Sequence, residues 1–451
     1  MCIAFTKGEF SYKLLNLGLT FLWVQNMLDI KFIRENVDVV KKAIEDKRVG
    51  LDLDELLELD SQVVKLKTEL QEYQTQRNTT SKSIPSASAE DRPALIAKGK
   101  EIGDKIKKFE PELQAAEQKL QELMWLVPNI PAADVPLGAD DNDNVEVKQE
   151  GFRPQFDFKP LDHVEILEKQ AWADFEKVSE VCGSRSYSLR NEMVIVEMAI
   201  HRLALDKLLS KGFTLAQLPA LVREKPLIGT GHFPTGKDQV YFLPEDNLYL
   251  SGTAEVQLNS LHSGDILSES DLPICYAGYS PCFRREAGSY GRDVRGLIRV
   301  HQFTKVEQYV ICKADEKTAV EWHNKLLETS EEIVRELELP YRVIECCTGD
   351  MGAGKVKMFD IECWVPSEEK YRETHSCSLL GDWQARRSNL RYRDADGKVQ
   401  FCYTLNNTAA ATPRLLVPFL ENHQRADGRL FIPEALRPYL SGQEFLGKVV
   451  R

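Results

Sequence analysis

Apolar residues in the first third of the chain recur at alternating steps of three and four, in two separate runs. Such heptad spacing predicts two α-helices that pack against each other along one apolar seam. The segment between the runs, SIPSASAEDRP, is polar and helix-breaking, with Asp91 as the expected helix cap and Pro93 in the first turn. We therefore predict an antiparallel coiled-coil arm about 45 Å long, kinked at Pro111, which lacks a backbone donor. The seam residues are Leu56, Leu59, Val63, Leu66, Leu70 and Tyr73, then Ile102, Ile106, Phe109, Leu113, Ala116, Leu120, Leu123 and Val127.

After the second run the pattern changes. The stretch VPNIPAADVPLGADDNDNVEV is rich in proline and aspartate, which predicts an extended linker. From Phe152 onward, strand-like and helical segments mix without a βαβ order, which predicts an α+β domain on an antiparallel sheet. We divide the chain into an N-terminal extension (1–26), a helical domain with the arm (27–130), a linker (131–151) and an α+β domain (152–451).

The distribution of charge bears on the arm. The whole chain has a formal net charge of -12, whereas residues 60–110 hold ten Lys and Arg against eight Asp and Glu. On an acidic protein, a phosphate-rich partner is expected to bind at a region of local positive charge. These counts also fit the alternative that the charged face of the arm is simply exposed to solvent and binds no partner.

The ten cysteines are scattered, without a CxxC pair. This argues against a structural zinc site or a disulfide framework and indicates a reducing compartment, so we expect a cytoplasmic protein without zinc. No segment has the roughly 18 apolar residues of a membrane span, and we expect no membrane partner. We interpret residues 1–26 as an upstream start or an added extension rather than a secretion signal, because no small-residue cleavage site is evident.

The segment FRREAGSYGRDVRGLIRVHQFTKVE (283–307) carries five arginines and Lys305 in 25 residues. Its flanks have strand-like composition and its centre holds three glycines, which predicts a hairpin with a long loop. Guanidinium groups fork onto phosphate oxygens, so this density indicates a polyanionic ligand. A solvated charged hairpin is the alternative. The chain has neither GxGxxG nor GxxxxGK[ST], which excludes a Rossmann or P-loop nucleotide site.

Further segments accompany this hairpin: KGFTLAQLPAL (211–221), TAEV (253–256), ETHSCS (373–378) leading into GDWQARR, and TLNNTAAATPRLLVPFLENHQ (404–424). In order and spacing they resemble the signature motifs of class II aminoacyl-tRNA synthetases, and those of the serine-specific members best. The resemblance implies the class II antiparallel sheet with flanking helices. It also implies ATP-dependent activation of L-serine to seryl-adenylate and transfer of the seryl group to serine tRNA, and to selenocysteine tRNA where the cell has one.

The resemblance also implies partners. Seryl enzymes grip the long variable arm of serine tRNA with the helical arm, and the segment 211–221 forms the subunit interface of a homodimer in this class. Two alternatives stay open: an amino acid:carrier-protein ligase on the same core, and a catalytically silent paralogue that binds RNA or a partner. The carrier-protein ligases lack the helical arm, and silent paralogues usually lose the phosphate arginines or the metal glutamate.

Site residues follow from the resemblance, position by position. Arg284, Glu307 and Arg414 are the implied catalytic residues, and Glu373 and Ser376 the implied Mg²⁺ ligands. The implied serine site comprises Thr253, Ala254, Glu255, Glu307, Asn406 and Thr408. The implied ATP site comprises Arg284, Arg285, Glu286, Arg299, Val300, Phe303, Glu373, Thr374, His375, Ser376 and Arg414. Within it, Glu286 reads the adenine amino group, Phe303 stacks on the ring, and Arg299 and Arg414 face the phosphates.

Some positions depart from the family pattern or from simple rules. His375 stands where serine is common, and Leu379 and Leu380 stand where a more polar pair is common, which leaves the geometry of the metal loop open. Thr412 and Pro413 predict a helix cap and first helical residue, which would put Arg414 at a helix N-terminus. Pro418 would then lie inside that helix and cost it a hydrogen bond.

Overall fold

The computed structural model describes residues 29–288, 291 and 295–449. The predicted extension at 1–26 lies outside this part of the chain. The N-terminal helices are α1 (Ile30–Glu35), α2 (Val37–Asp46), α3 (Leu53–Ser83) and α4 (Arg92–Met124). The two short helices pack against the base of the long pair through Ile33, Val40 and Leu56, all buried.

The long helices α3 and α4 form the predicted antiparallel arm. Its seam buries Val63 and Leu66 against Leu113 and Ala116, so the heptad prediction is confirmed. Two details differ. Asp91 makes no capping bond, because its carboxylate accepts from Ser88 Oγ at 2.7 Å instead. α4 also runs through Pro111 without interruption, so the side-chain seam outweighs the one missing backbone bond.

The second domain consists of short strands and helices. Its strands are β1 (Val145–Glu150), β2 (Thr214–Gln217), β3 (Leu221–Val222), β4 (Tyr241–Leu243), β5 (Leu248–Leu250), β6 (Ile266–Ser268), β7 (Ile274–Phe283), β8 (Gln302–Cys312), β9 (Tyr341–Glu345), β10 (Lys357–Val365), β11 (Lys370–Gly381), β12 (Arg391–Arg393), β13 (Val399–Phe401), β14 (Tyr403–Thr412), β15 (Leu430–Phe431) and β16 (Phe445–Leu446). Its α-helices are α5 (His163–Lys169), α6 (Phe175–Cys182), α7 (Glu192–Ser210), α8 (Glu224–Gly229), α9 (Glu255–Leu261), α10 (Glu316–Glu336), α11 (Trp383–Ser388) and α12 (Leu416–His423). Short 3₁₀ turns lie at Asp141–Asp143, Lys237–Gln239, Glu269–Asp271, Pro366–Glu368 and Glu434–Leu440.

Eight strands form the main sheet in the order β1-β9-β10-β11-β14-β8-β7-β2. Every pairing is antiparallel except that of β2 with β7, so the predicted α+β class with an antiparallel sheet is confirmed. β7 and β8 are the flanks of the arginine hairpin and pair from Phe283↔Gln302 to Ile274↔Ile311. β1 pairs with β9, so the last residues of the predicted linker belong to this sheet.

The two faces of the main sheet have different roles. One face is covered by α7, α10 and α12, and Val306, Val310 and Leu405 point into that core. The other face carries α9 and α11 over part of its length, with Tyr309 and Ile311 packed beneath them. Because side chains alternate along a strand, residues such as Phe303 and Glu307 face away from the core. They are therefore available to a site on the second face.

In the described part of the chain, no helix combines the length and the apolar character that crossing a bilayer requires.

Candidate active site

Two adjoining cavities open on the second face of the main sheet. The arginine-rich cavity has a volume of about 70 Å³ and is lined by Arg284, Arg299 and Arg414. The glutamate cavity has a volume of about 390 Å³ and is lined by Glu255 and Glu307. Arg284, Lys305, Glu373 and Thr408 line both. A cavity with cationic side chains therefore adjoins one with anionic side chains.

Strand β8 contributes one row of side chains to both cavities. Phe303, Lys305 and Glu307 lie at alternate positions and therefore on the same face. Phe303 lines the arginine-rich cavity and Glu307 the glutamate cavity, while Lys305 lies between them. The site thus changes from aromatic to cationic to anionic along one strand.

Lys305 and Glu307 form a buried ion pair, with side chains 11% and 2% exposed. Burial raises the pKa of Glu307 to about 7; the Lys305 ammonium acts in the opposite direction, and the Glu255 carboxylate adds to the rise. From the sequence, Lys305 was noted only as one of the positive charges of the hairpin. Its spacing of two residues from Glu307 on a predicted strand could have indicated that the two side chains lie on the same face. The pair places a charge-balanced carboxylate on the floor of the glutamate cavity.

The remaining wall of the glutamate cavity comes from β14 and the start of α9. Asn406 and Thr408 lie two apart on β14 and line the cavity. Thr253 and Glu255 line it from above, and Glu255 is oriented by Gln384, whose Nε2 donates to Oε1 at 2.6 Å. The structure therefore brings these predicted residues together. Ala254 is the exception: it is fully buried and lines neither cavity.

A β-bulge positions Glu373 and Ser376 on the same cavity wall. Residues three apart on a regular strand face opposite sides. Here the β10–β11 register shifts so that Thr374 is the extra residue, which turns Glu373 to the face of Ser376. Both side chains line the glutamate cavity.

Asp360 lies opposite Ser376 across the β10–β11 pair. Burial raises the pKa of Asp360 well above its usual range, and the nearby Glu373 carboxylate adds to this rise. Its Oδ1 atom is buried and has no hydrogen-bond partner among the described residues. Sequence reasoning missed Asp360, because no pattern links it to Ser376 until the two strands are aligned.

Two of the predicted ATP-site residues do not line either cavity. His375 lies on the core side of β11, where Nε2 contacts Ala409 O at 3.2 Å, and burial lowers its pKa to about 4. The departure from serine at this position therefore alters the core and not the cavity lining. Arg285 is exposed at the start of the hairpin loop. Thr374, in contrast, lines the arginine-rich cavity.

The arginine-rich cavity is formed mainly by the hairpin. Arg284 follows the end of β7, and its guanidinium carbon lies 5.1 Å from the Phe303 ring centroid. Glu286 and Arg299 form an ion pair at 2.6 Å, and Val300 completes this wall. An aromatic face, three guanidiniums and two carboxylates, those of Glu286 and Glu373, provide contacts for a planar ring and for phosphates.

Arg414 reaches the cavity from a position that differs from the prediction. Thr412 is the last residue of β14, and α12 begins only at Leu416, so Arg414 lies in the turn before the helix. Its Nη1 donates to the Glu373 backbone oxygen and to Oε2, both at 3.3 Å. The later start also explains Pro418, which falls in the first helical turn, where a backbone donor has no intrahelical partner.

Comparison with known proteins agrees with this architecture. A family model of the tRNA synthetase class II core domain (G, H, P, S and T) matches residues 242–423, and one of the seryl-tRNA synthetase N-terminal domain matches residues 27–131. The serine--tRNA ligase of Deinococcus radiodurans is 58% identical over 425 residues, covering 94% of this chain and 100% of that protein. The serine--tRNA ligase of Pseudothermotoga lettingae is 42% identical over 427 residues, covering 93% of this chain and 100% of that protein.

Solved structures agree as well. The crystal structure of seryl-tRNA synthetase from Pyrococcus horikoshii complexed with ATP has a TM-score of 0.86 and 40% identity, covering 94% of this chain and 100% of that chain. The crystal structure of the cytoplasmic serine-tRNA ligase from Naegleria fowleri in complex with AMP has a TM-score of 0.81 and 28% identity, covering 94% of this chain and 98% of that chain.

The sheet, the arginine hairpin and the matched core domain define a class II aminoacyl-tRNA synthetase. Within that class, full-length identity to serine--tRNA ligases and the matched N-terminal domain show that this chain belongs to the seryl-tRNA synthetase family. The family predicted from the motifs is confirmed.

Proposed function

We propose that this protein activates L-serine with ATP and transfers the seryl group to serine tRNA, and to selenocysteine tRNA where one is present. The observation that carries the proposal is the junction of the two cavities at Arg284 and Lys305. An amino acid held by its ammonium in the glutamate cavity directs its carboxylate toward the arginine-rich cavity, where the phosphates of ATP bind.

In the first step an oxygen of the serine carboxylate attacks the α-phosphorus of ATP, and the bond to the pyrophosphate leaving group breaks. The nucleophile is already an anion, so the step needs orientation and positive charge more than a general base. Arg284 is exposed at the junction of the cavities and is available to hold both the carboxylate and the α-phosphate. Arg299 and Arg414 supply charge for the other phosphoryl oxygens.

For the nucleotide base, Phe303 offers an aromatic face and Glu286 a carboxylate acceptor for the adenine amino group. For serine, ionised Glu307 with Glu255 holds the ammonium, and Thr253, Asn406 and Thr408 supply polar contacts. A cavity that hydrogen-bonds a hydroxyl discriminates strongly against an analogue that lacks it. This is the expected basis for rejecting alanine.

Mg²⁺ is the proposed metal, held by Glu373 and Ser376 together with the ATP phosphates. The donor set fits this hard cation, because it consists of a carboxylate and a hydroxyl. The Oδ1 atom of Asp360, buried opposite Ser376 and without a hydrogen-bond partner among the described residues, is a further oxygen atom close to this pair. When bound, Mg²⁺ neutralises charge on the phosphates, while Arg414 holds Glu373 in position.

The proposed partners use other surfaces. The arm formed by α3 and α4 is the proposed contact for the variable arm of serine tRNA, through RNA shape and phosphates. A homodimer is proposed through β2 and α7, supported by exposed apolar side chains at Leu215, Ile195 and Met198. The nine described cysteines are unpaired thiols, which supports the proposed cytoplasmic location.

The decisive experiment is serine-dependent exchange of label between pyrophosphate and ATP, followed by charging of total tRNA. We expect both activities, and expect alanine and threonine to support neither at comparable concentrations. Exchange without charging would favour the carrier-protein ligase. Absence of both in a folded protein would favour a silent RNA-binding paralogue.

A further inference from the structure

A lysine of the N-terminal domain is buried against the catalytic domain. Lys47 directly follows α2 and is only 6% exposed. Its Nζ donates to three backbone oxygens, those of Gly352 at 3.4 Å, Ala353 at 3.0 Å and Lys355 at 2.5 Å. An ammonium has three donors, so these carbonyls use its full capacity. No ion pair joins Lys47 to a carboxylate within the described residues, so the segment 352–355 is what compensates for its burial. Burial lowers the pKa of Lys47 well below its ordinary value, and Lys355 acts in the same direction.

The same segment is held by a second residue of the matched N-terminal domain. Asn129 is fully buried. Its backbone N–H donates to Ala353 O at 2.8 Å, and its Nδ2 donates to Gly354 O at 3.2 Å and Leu380 O at 2.7 Å. The segment 352–355, which we call the clamped loop, therefore has its backbone oxygens bound by the domain that carries the arm.

The clamped loop forms part of the glutamate cavity. Ala353, Gly354 and Lys355 line that cavity, and none of them lines the arginine-rich cavity. Gly354 also packs on Trp383, because a Cβ at Gly354 would lie 2.6 Å from the Trp383 ring, and Trp383 lines the same cavity. A shift of the loop would therefore move the glutamate cavity and leave the nucleotide side in place.

We propose that Lys47 is a positioning residue for serine, through which the N-terminal domain sets the shape of the amino-acid pocket. The inference rests on the proposed assignment of serine to the glutamate cavity. Lys47 itself lines neither cavity. It acts by fixing the clamped loop, so its loss should affect the binding of serine and not that of ATP.

The test uses Lys47→Met in the full chain, because methionine matches the unbranched stem of lysine without its Nζ and so removes all three donors. We expect the KM for serine in pyrophosphate exchange to rise about tenfold, as for loss of hydrogen bonds to a charged group, with the KM for ATP changed less than about twofold. The matched control is Lys42→Met on α2, the helix that Lys47 follows, where Lys42 is exposed and pairs with Asp46; it should leave both KM values unchanged.

Lys47→Arg is the second variant, in case the first does not fold. A guanidinium cannot direct three donors from one nitrogen, so we expect a several-fold rise in the KM for serine here too. Equal rises in both KM values, or an unchanged KM for serine in a folded variant, would show a purely structural role and overturn the proposal. Failure of the site assignment itself would appear separately, as full exchange activity in Glu307→Ala or Arg284→Ala.

Discussion

The Glu286 carboxylate and the Arg299 guanidinium lie 2.6 Å apart in the arginine-rich cavity. These two residues were predicted for opposite ends of ATP, one for the adenine amino group and one for the phosphates. Glu286 also has a φ of 52°, a region that non-glycine residues seldom adopt. The ion pair therefore helps to hold an unusual backbone conformation, and under the proposed assignment it would link recognition of the base to that of the phosphates.

We expect Glu286→Ala to raise the KM for ATP about 10- to 100-fold, as for loss of a hydrogen bond to a charged group, with little effect on the KM for serine. Because the two side chains contact each other, the double variant with Arg299→Ala should lose less than the sum of the single losses. Steady-state exchange kinetics on the four proteins measure both effects. Strict additivity would mean that the two residues act independently.

Arg284→Ala should lower the rate of adenylate formation about 100- to 1,000-fold, since it removes a charge placed where negative charge develops. The thermal midpoint should change little, because Arg284 is exposed. Arg285→Ala is the matched control: it removes the adjacent exposed arginine, which lines neither cavity, and should retain exchange. If the two variants behaved alike, the assignment of Arg284 would be wrong.

Glu373→Ala should weaken the use of ATP in a way that added Mg²⁺ partly restores. The glutamate is exposed enough to reach a bound metal, with its side chain 47% exposed, and it forms an ion pair with Arg414. Exchange rates measured over a series of Mg²⁺ concentrations should show a higher half-saturation concentration than in the parent protein. Glu321→Ala, an exposed glutamate on α10, should leave that curve unchanged. A Glu373→Ala curve that matches the parent would remove the metal role.

The KM for serine should fall as pH rises from 6 to 8, because Glu307 must be ionised to hold an ammonium and its pKa is raised to about 7. The stability of the fold should change in the opposite direction. The pKa of Glu307 is about 7 in the folded protein and 4.5 ordinarily, so its protonated form stabilises the fold at low pH, and this contribution is lost as the pH rises through about 7. Glu307→Gln should weaken serine binding and flatten the pH profile. A parent-like slope in that variant would assign the titration to another group.

The sequence predicted the arm, the hairpin and the antiparallel sheet because each depends on local periodicity or composition. The seam residues of α3 and α4 repeat in sequence, and β7 and β8 flank one continuous arginine-rich segment. The N-terminus of α12 was misplaced because Thr412 continues the ladder of β14 to its last pair, with Thr304. Pairing with a neighbouring strand overrode the local preference for a cap.

The parts of the site that sequence could not supply depend on alignment between distant strands. Asp360 meets Ser376 only through the β10–β11 register, and the Glu-x-x-Ser spacing would place its two ends on opposite faces without the bulge at Thr374. Lys47 is more remote still, since its acceptors are backbone oxygens about 300 residues away, and backbone oxygens leave no signature in a sequence. Contacts to the main chain are therefore the class of functional contact most easily missed.

Deleting residues 66–119 and bridging the stump with a short linker should separate activation from charging. The seam of the arm is satisfied within the arm, and the deletion leaves Lys47 and Asn129 in contact with the clamped loop. Serine activation should therefore survive nearly intact, whereas charging collapses through loss of tRNA binding. Charging by the full chain should also weaken steeply as salt rises, because the proposed contacts of the arm are largely to phosphates.

Lys47→Met is the informative comparison for this deletion, since it should impair serine activation while the arm is intact. Pyrophosphate exchange separates the two variants: at subsaturating serine it should fall in Lys47→Met and persist in the deletion, where only tRNA charging is lost. If the truncated protein charged serine tRNA as well as the full chain, the arm would not be the tRNA-binding element. If the truncated protein also lost exchange, the arm would support the catalytic domain in a way that its self-contained seam does not explain.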